Sequence, residues 1–163
     1  MLALFVSVAN LRAQALPAGT QISNVAQVSW QDENGLAFTA GSNMVVLTVG
    51  QVAGVDVEPP RSSVSDPGTT VWFAHTLQNI GNGTDSFTVA ARSSAGWPLR
   101  VYQDANGNGA LDAGEQLVVG PIPLVAGATA NLLLAVDVPA VATVRGTLDT
   151  LWLSGTSQFD AAV

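Results

Sequence analysis

Hydrophobic and polar residues alternate along much of the chain after residue 15, and a period of two residues is typical of strands with one buried face. The clearest example is the segment 22–30, where Ile22, Asn24, Ala26, Val28 and Trp30 share one face. The same reasoning predicts further strands at residues 36–38, 44–49, 55–57, 71–77, 85–91, 99–102, 117–119, 132–138 and 148–153.

Turn residues separate these predicted strands. Asn34-Gly35 is a strong hairpin signal because both residues tolerate positive φ, and Asp66-Pro67-Gly68 marks another turn. No segment has a helical period over ten or more residues, and the nearest candidate, 139–144, is too short. The pattern therefore predicts an all-β protein with an immunoglobulin-like antiparallel β-sandwich.

The predicted strands fall into two groups. About seven lie within residues 51–163, which is the size of an immunoglobulin-like domain. The strands predicted within residues 16–50 are additional to these seven, and we predict that they form an N-terminal β-hairpin or arm. This arm either packs on its own sandwich as extra strands or completes a sheet of a neighbouring molecule, and head-to-tail donation of that kind builds an open filament.

A resemblance to a known family rests on short segments of the sequence. VSDPGTTV (64–71), AHTLQNIGN (74–82), VYQD (101–104), LVAG (124–127) and VPA (138–140) resemble the conserved Ig-like repeat of bacterial cell-surface proteins. AGTQISNVAQVSW (18–30) resembles the closing hairpin of such a repeat. The resemblance implies an extracellular structural or adhesive role without enzymatic chemistry, although this chain carries one full repeat where the family often has many.

Residues 104–115 fit the twelve-residue calcium loop of the EF-hand type. Ca²⁺ prefers six to eight oxygen ligands, and such loops supply them at alternate positions, with a glycine at the sharp turn and a closing glutamate. Gly109 occupies the turn position, and Leu111 is predicted to be an apolar plug. The predicted ligands are Asp104, Asn106, Asn108, Ala110 through its carbonyl, Asp112 and Glu115.

The flanks of this loop differ from those of an EF-hand. Pro98 and the β-branched Val101 disfavour an entering helix, so we predict a calcium loop between strands, as in dockerin-type and surface-repeat loops. Such a loop resembles extracellular modules that bind at about 10⁻⁴–10⁻³ M. The alternative is an Asn- and Gly-rich turn that binds no metal. If Ca²⁺ binds, its predicted role is structural.

Composition narrows the class of protein. The 163 residues are 48% hydrophobic and 10% charged, with a net charge of −7. The high hydrophobic content and the low charged content disfavour a disordered chain. The few basic residues disfavour nucleic-acid binding. The chain has no Cys and one His, so thiol catalysis and most histidine metal sites are not expected. We therefore expect a protein that is not an enzyme.

The N-terminus resembles a secretory signal. Residues 2–9 are mostly apolar, and Ala13-Gln14-Ala15 fits a cleavage site, although no basic residue precedes the apolar run. The alternative is a buried N-terminal strand or helix. We predict a signal peptide at 1–15, a secreted or bacterial cell-surface location, and no transmembrane segment, because no run reaches about 20 apolar residues.

The remaining candidates are aromatic or isolated polar residues. His75 lies in phase with Val71, Phe73 and Leu77, so we predict a hydrogen-bonded core histidine. Trp30 is predicted to lie in the core, whereas Trp72 and Trp152 lie opposite the apolar faces of their strands and favour an interface. The resulting hypothesis is a secreted structural or adhesive module that associates with itself or with an envelope protein. The alternative is a carbohydrate-binding module, since exposed aromatic rings also stack on sugars.

Overall fold

The computed structural model describes residues 15–159, so the predicted signal at 1–15 lies outside the described residues except for Ala15. In this range the chain forms strands and one short 3₁₀ helix at Ala142–Val144, and no α-helix is present. All pairings between strands are antiparallel, which confirms the all-β prediction. The strands are β1 (Gln21–Asn24), β2 (Gln27–Gln31), β3 (Ala37–Gly41), β4 (Val45–Thr48), β5 (Val55–Glu58), β6 (Thr70–Asn79), β7 (Asp85–Ser93), β8 (Leu99–Gln103), β9 (Ile122–Leu124), β10 (Thr129–Asp137) and β11 (Leu151–Ser157).

The chain divides into two compact units, residues 1–49 and 50–163. We call the described part of the first unit, residues 15–49, the arm. In the arm β1 pairs with β4, and β2 pairs with β3. Every residue of these four strands is exposed, because a two-stranded sheet has no second layer to cover it.

The segment predicted as a single strand at 22–30 is divided into β1 and β2. The Ala26 N–H donates to the Ser42 hydroxyl (3.0 Å), and the Ser42 N–H donates to the Ala26 carbonyl (2.8 Å). The hydroxyl takes the place of a backbone partner, and the two strand pairs form separate sheets. The prediction of a core position for Trp30 is wrong, since this residue is 50% exposed and stacks on Phe38 with ring centroids 5.6 Å apart.

We call the second unit the sandwich unit. It contains a four-stranded sheet in the order β5-β6-β10-β8 and a three-stranded sheet in the order β11-β7-β9. Both sheets contribute to one buried cluster, so they pack face to face in a sandwich-like arrangement. The cluster consists of Leu77, Phe87, Ile122, Leu124, Ala130 and Leu132.

β10 is buried on both of its faces. Leu132 lies opposite His75 and Leu134 opposite Phe73, and residues that are directly opposite in an antiparallel pair share a face. Leu132 and Leu134 therefore face the core, whereas Leu133 points to the outer face. Leu133 is nevertheless completely buried, so other groups must cover the outer face of this sheet.

One predicted strand is largely absent and another was not predicted. The strand expected at 117–119 is reduced to a single bridge between Leu117 and Tyr102, because Val119 is exposed and Gly120 and Pro121 follow it. β9 forms immediately afterwards and pairs with β7. Pro123 is tolerated within β9 because β9 lies at the edge of its sheet.

The two ends of the sandwich unit differ. At one end, residues 50–54 bind the turn between β6 and β7: the Val52 N–H donates to Asn82 Oδ1 (2.7 Å), and the Ile80 N–H donates to the Gly54 carbonyl (3.0 Å). We call this the junction end. At the opposite end, where β6 and β11 begin, residues of both sheets line two clefts of about 400 and 500 Å³. We call this the open end.

Candidate calcium site

The predicted calcium loop leaves the four-stranded sheet at the end of β8 and returns beside it. The Gln103 N–H donates to the Gln116 carbonyl (2.9 Å), and the Val118 N–H donates to the Val101 carbonyl (2.8 Å). These bonds close the base of the loop as in a hairpin. The loop therefore lies between two extended segments without flanking helices.

Asp104 organises the first half of the loop. Its side chain is buried, and its carboxylate accepts hydrogen bonds from the backbone N–H groups of Gly107 (2.7 Å), Asn108 (3.2 Å) and Gly109 (2.9 Å). Both glycines have positive φ, +70° and +75°, which L side chains rarely adopt. The sequence Asn-Gly-Asn-Gly thus allows the backbone to wrap around one carboxylate.

The amides of Asn106 and Asn108 and the carboxylate of Asp112 meet at one point. Nδ2 of Asn106 and Nδ2 of Asn108 donate to Oδ2 of Asp112 at 2.7 and 2.6 Å. Rotating either amide by 180° places its oxygen where its nitrogen now lies. These three predicted ligands are therefore brought together by the fold.

Glu115 joins the two halves of the loop. Oε1 accepts a hydrogen bond from the Ala105 N–H (3.0 Å), and Oε2 accepts one from the Asp112 N–H (3.0 Å). The Ala110 N–H donates to Asn108 Oδ1 (2.8 Å), and no bond to the Ala110 carbonyl is seen within the described residues. Leu111 is 41% exposed, so the prediction that it plugs the loop is wrong: no apolar layer surrounds it.

Calcium requires six to eight oxygen ligands, and the predicted ligands of the loop can be compared with this requirement. Across residues 15–159, no group of three or more His, Asp or Glu side chains is suited by itself to hold a metal ion. A cation in the loop therefore depends on the asparagine oxygens and a backbone carbonyl as well as on carboxylates. The six predicted donors are all oxygens and include three carboxylates, which is the chemistry that Ca²⁺ prefers. The donor atoms are therefore of the type that calcium prefers, and the spacing of these residues along the sequence is that of the EF-hand loop.

The loop also covers the outer face of the four-stranded sheet. The Asp104 N–H donates to the Asn131 carbonyl on β10 (3.0 Å). A Cβ built on Gly107 would lie 2.9 Å from Asn131 Nδ2, and one built on Gly109 would lie 3.5 Å from Ala74 Cβ on β6. The loop thus approaches the sheet closely and helps to bury the outer face of β10.

Trp72 and Tyr102 lie on the same outer face. Their ring centroids are 6.0 Å apart, with the planes tilted by 49°. Trp72 lies opposite Ala135 and Tyr102 opposite Leu133. On the other sheet, Trp152 lies beneath the guanidinium of Arg92 at 4.2 Å. Both tryptophans lie opposite the core faces of their strands, as predicted.

His75 faces the core and lines one of the open-end clefts. Burial lowers the pKa of His75, the hydrogen bond with the Pro59 carbonyl opposes this effect, and the charge of Arg61 adds to it. The side chain is therefore neutral at pH 7. His75 lies on the core side of its strand but is only partly buried, and Nδ1 has no hydrogen-bond partner in the described structure, so complete hydrogen bonding was a wrong expectation.

Two carboxylates that the sequence analysis missed also hold loops in place. Burial of Asp85 opposes its charged form, but hydrogen bonds from the Ser157 hydroxyl and from the N–H groups of Ser86, Phe159 and Gln158 outweigh this and lower the pKa of Asp85. Asp149 accepts bonds from Ser93, Ser94 and Ala95 at the open end, and its pKa is lowered in the same way. Nothing in the local sequence distinguishes these residues, because their partners are distant in the chain.

Asn82 begins the sequence Asn82-Gly83-Thr84, which matches the N-glycosylation pattern, but its side chain has a structural role. Its side-chain oxygen accepts the Val52 N–H, and its amide donates to the Gly50 carbonyl at 3.0 Å. The side chain is nearly buried. A glycan on this nitrogen would displace the junction segment.

No protein-family model, no curated protein and no solved structure matches the chain. In the described part of the chain, no helix has the length and apolar character that crossing a membrane requires.

Proposed function

We propose that the chain is a secreted structural or adhesive module of a bacterial cell envelope, and that it associates with itself without catalysing a reaction. One observation carries this proposal: of the 23 large hydrophobic residues that are exposed within residues 15–159, eleven lie in the arm. Two-stranded sheets are marginally stable at best in water. Apolar strands that cannot form a core of their own need a partner surface.

The fold assigned to the sandwich unit in this proposal is immunoglobulin-like. An immunoglobulin constant domain has strands A, B, E and D in one sheet and C, F and G in the other. The order β5-β6-β10-β8 corresponds to A-B-E-D, and the pairing of β7 with β11 corresponds to C with F. β9, which lies beside β7, departs from that pattern.

The second part of the proposal is a structural Ca²⁺ held by the loop 104–115. The ligands are Asp104, Asn106, Asn108, Ala110, Asp112 and Glu115. The convergence of the side chains of Asn106, Asn108 and Asp112 supports this assignment. A bound cation would stabilise the loop against the outer face of the sheet, and ligand binding to the native state raises stability by mass action.

Sedimentation velocity tests self-association. We expect species larger than a monomer whose fraction rises with protein concentration, and we expect L47D in the arm to reduce that fraction because it places a charge on an apolar strand. T39D, on another arm strand, is the matched control. A monomer at every concentration would overturn the proposal.

Thermal unfolding with and without millimolar Ca²⁺ tests the metal site. We expect Ca²⁺ to raise the Tm of the parent chain, and we expect a smaller rise for D112N, which keeps the shape of the side chain but removes its charge. D56N, on an exposed strand position, should respond like the parent chain. An equal Tm with Ca²⁺, Mg²⁺ and chelator would exclude the site.

A carbohydrate-binding module is the second candidate, because Trp72 and Trp152 are 37% and 44% exposed. Flat, open rings favour sugar stacking, whereas Trp72 is tilted against Tyr102 and Trp152 lies under Arg92. These contacts favour packing over sugar binding. Binding to a glycan array that is lost in W72A or W152A would reverse this preference.

A further inference from the structure

We infer that β4 of one copy adds to the free edge of β11 in a second copy, so that the chains join head to tail. This inference rests on the proposed self-association and identifies the two surfaces that meet.

β4 has the character of a strand that is buried on both faces. Val45 and Leu47 lie on one face, Met44 and Val46 point to the other, and all four residues are exposed. A continuous apolar run is typical of a strand covered on both sides. β4 pairs with β1 along one edge, and no strand of the described part of the chain pairs with its second edge.

β11 offers the matching edge. It is the last strand of its sheet, and within residues 15–159 no strand pairs with its outer edge. The neighbouring cleft at the open end is lined by Phe73 and Leu134 of one sheet and by Leu151 and Leu153 of β11. In the immunoglobulin-like comparison this is the place of strand G. A strand added there supplies backbone partners to the edge and apolar side chains to the cleft.

The direction of the chain favours a second copy over the same copy. β4 leads directly into residues 50–54, which are fixed at the junction end. A strand of the same chain that runs alongside β11 and arrives at the junction end would be parallel to β11. The arm of a second copy stacked on the open end enters from that side, and its β4 then runs antiparallel to β11. Every pair of strands among the described residues is antiparallel, and antiparallel pairing is slightly more stable per residue.

Charge complements this arrangement. The arm carries Asp32 and Glu33 and no basic residue. Arg92 lies beside β11 over Trp152, whereas Arg61 and Arg145 line the open-end clefts together with the acidic residues Glu58, Asp66 and Asp149. In the described structure the only ion pair joins Arg100 to Asp137, so Arg92 is available to the acidic tip of an incoming arm, whereas Arg61 already donates to the Ala74 carbonyl. Complementary charges of this kind favour association in one orientation.

Disulfide trapping tests the inference, because the chain contains no cysteine. V46C and L47C place a thiol on each face of β4, and S154C places one at an exposed position of β11. One donor variant is mixed with S154C bearing a short mass tag, and the mixture is oxidised. We expect a mixed covalent dimer with at least one donor. P123C, on the opposite edge strand of the same sheet, is the matched acceptor control and should give markedly less mixed dimer.

The outcomes separate this inference from the proposed function. Mixed dimers with S154C but not with P123C support β4–β11 pairing between copies. A crosslink that forms only within a single chain carrying both V46C and S154C overturns it. Oligomers in sedimentation without mixed dimers overturn the strand assignment but leave self-association standing. A monomer in sedimentation overturns both. Circular dichroism of each variant verifies that the sheets are intact.

Discussion

At the scale of single residues, buried and partly buried carboxylates organise the loops of the sandwich unit. Asp104, Asp85 and Asp149 each accept several hydrogen bonds from segments that lack a strand partner. Bonds to a charged acceptor are stronger than neutral ones, and a buried donor that loses its acceptor is costly. The spacing of Asp104 with its glycines was predictable from the sequence, whereas the long-range bonds of Asp85 and Asp149 were not.

Removal of the Asp104 carboxylate should destabilise the protein even without metal. D104A leaves three backbone N–H groups without their acceptor, so we expect the free energy of unfolding in urea to fall by about 1–3 kcal/mol. D56A, at an exposed position of β5, should change the free energy of unfolding little. Equal effects of the two substitutions would contradict the role of Asp104 in shaping the loop.

Acid should weaken the sandwich unit through Asp85. Its pKa is lower in the folded chain than in the unfolded chain. Its contribution to stability is therefore fully present above the unfolded pKa, about 4, and is lost as the pH falls through the lower folded pKa. In urea unfolding between pH 7 and pH 2, we expect D85N to show a shallower loss of stability than the parent chain. An unchanged pH dependence would contradict this assignment.

At the scale of elements, alternation located most strands but not their partners. β6, β7, β8, β10 and β11 follow from period-two patterns. β9 was missed because three residues with a central proline carry little pattern, and the run 22–30 was wrongly joined because the Ser42 hydroxyl interrupts it. The double burial of β10 depends on the loop 104–115 lying across the sheet, which no local pattern reveals.

The approach of this loop to the sheet requires glycine at position 107. An alanine there would adopt an unfavourable positive φ and place its Cβ 2.9 Å from Asn131 Nδ2. We expect G107A to lower the free energy of unfolding by roughly 1–2 kcal/mol. The matched control is G120A, which has open space around it and should be neutral or slightly stabilising. If G120A destabilises the chain as much as G107A, the close approach is not the cause.

At the scale of the whole molecule, the arm and the sandwich unit complement each other. The arm exposes apolar strands on both faces, and the sandwich unit exposes an edge strand beside a cleft that is lined by both apolar and charged side chains. The all-β class was predictable from the alternation of hydrophobic and polar residues and from the turn signals. The location of the free edge was not, because it depends on how strands far apart in sequence are ordered within the sheets.

Hydrogen–deuterium exchange of the full chain at low and high protein concentration tests the central claim most directly. If β4 is covered by a second copy, its amides and those of the β11 edge become protected as the concentration rises, while β10 is protected throughout. The account predicts this paired, concentration-dependent protection. Rapid exchange of β4 at every concentration, with β11 unchanged, would contradict it.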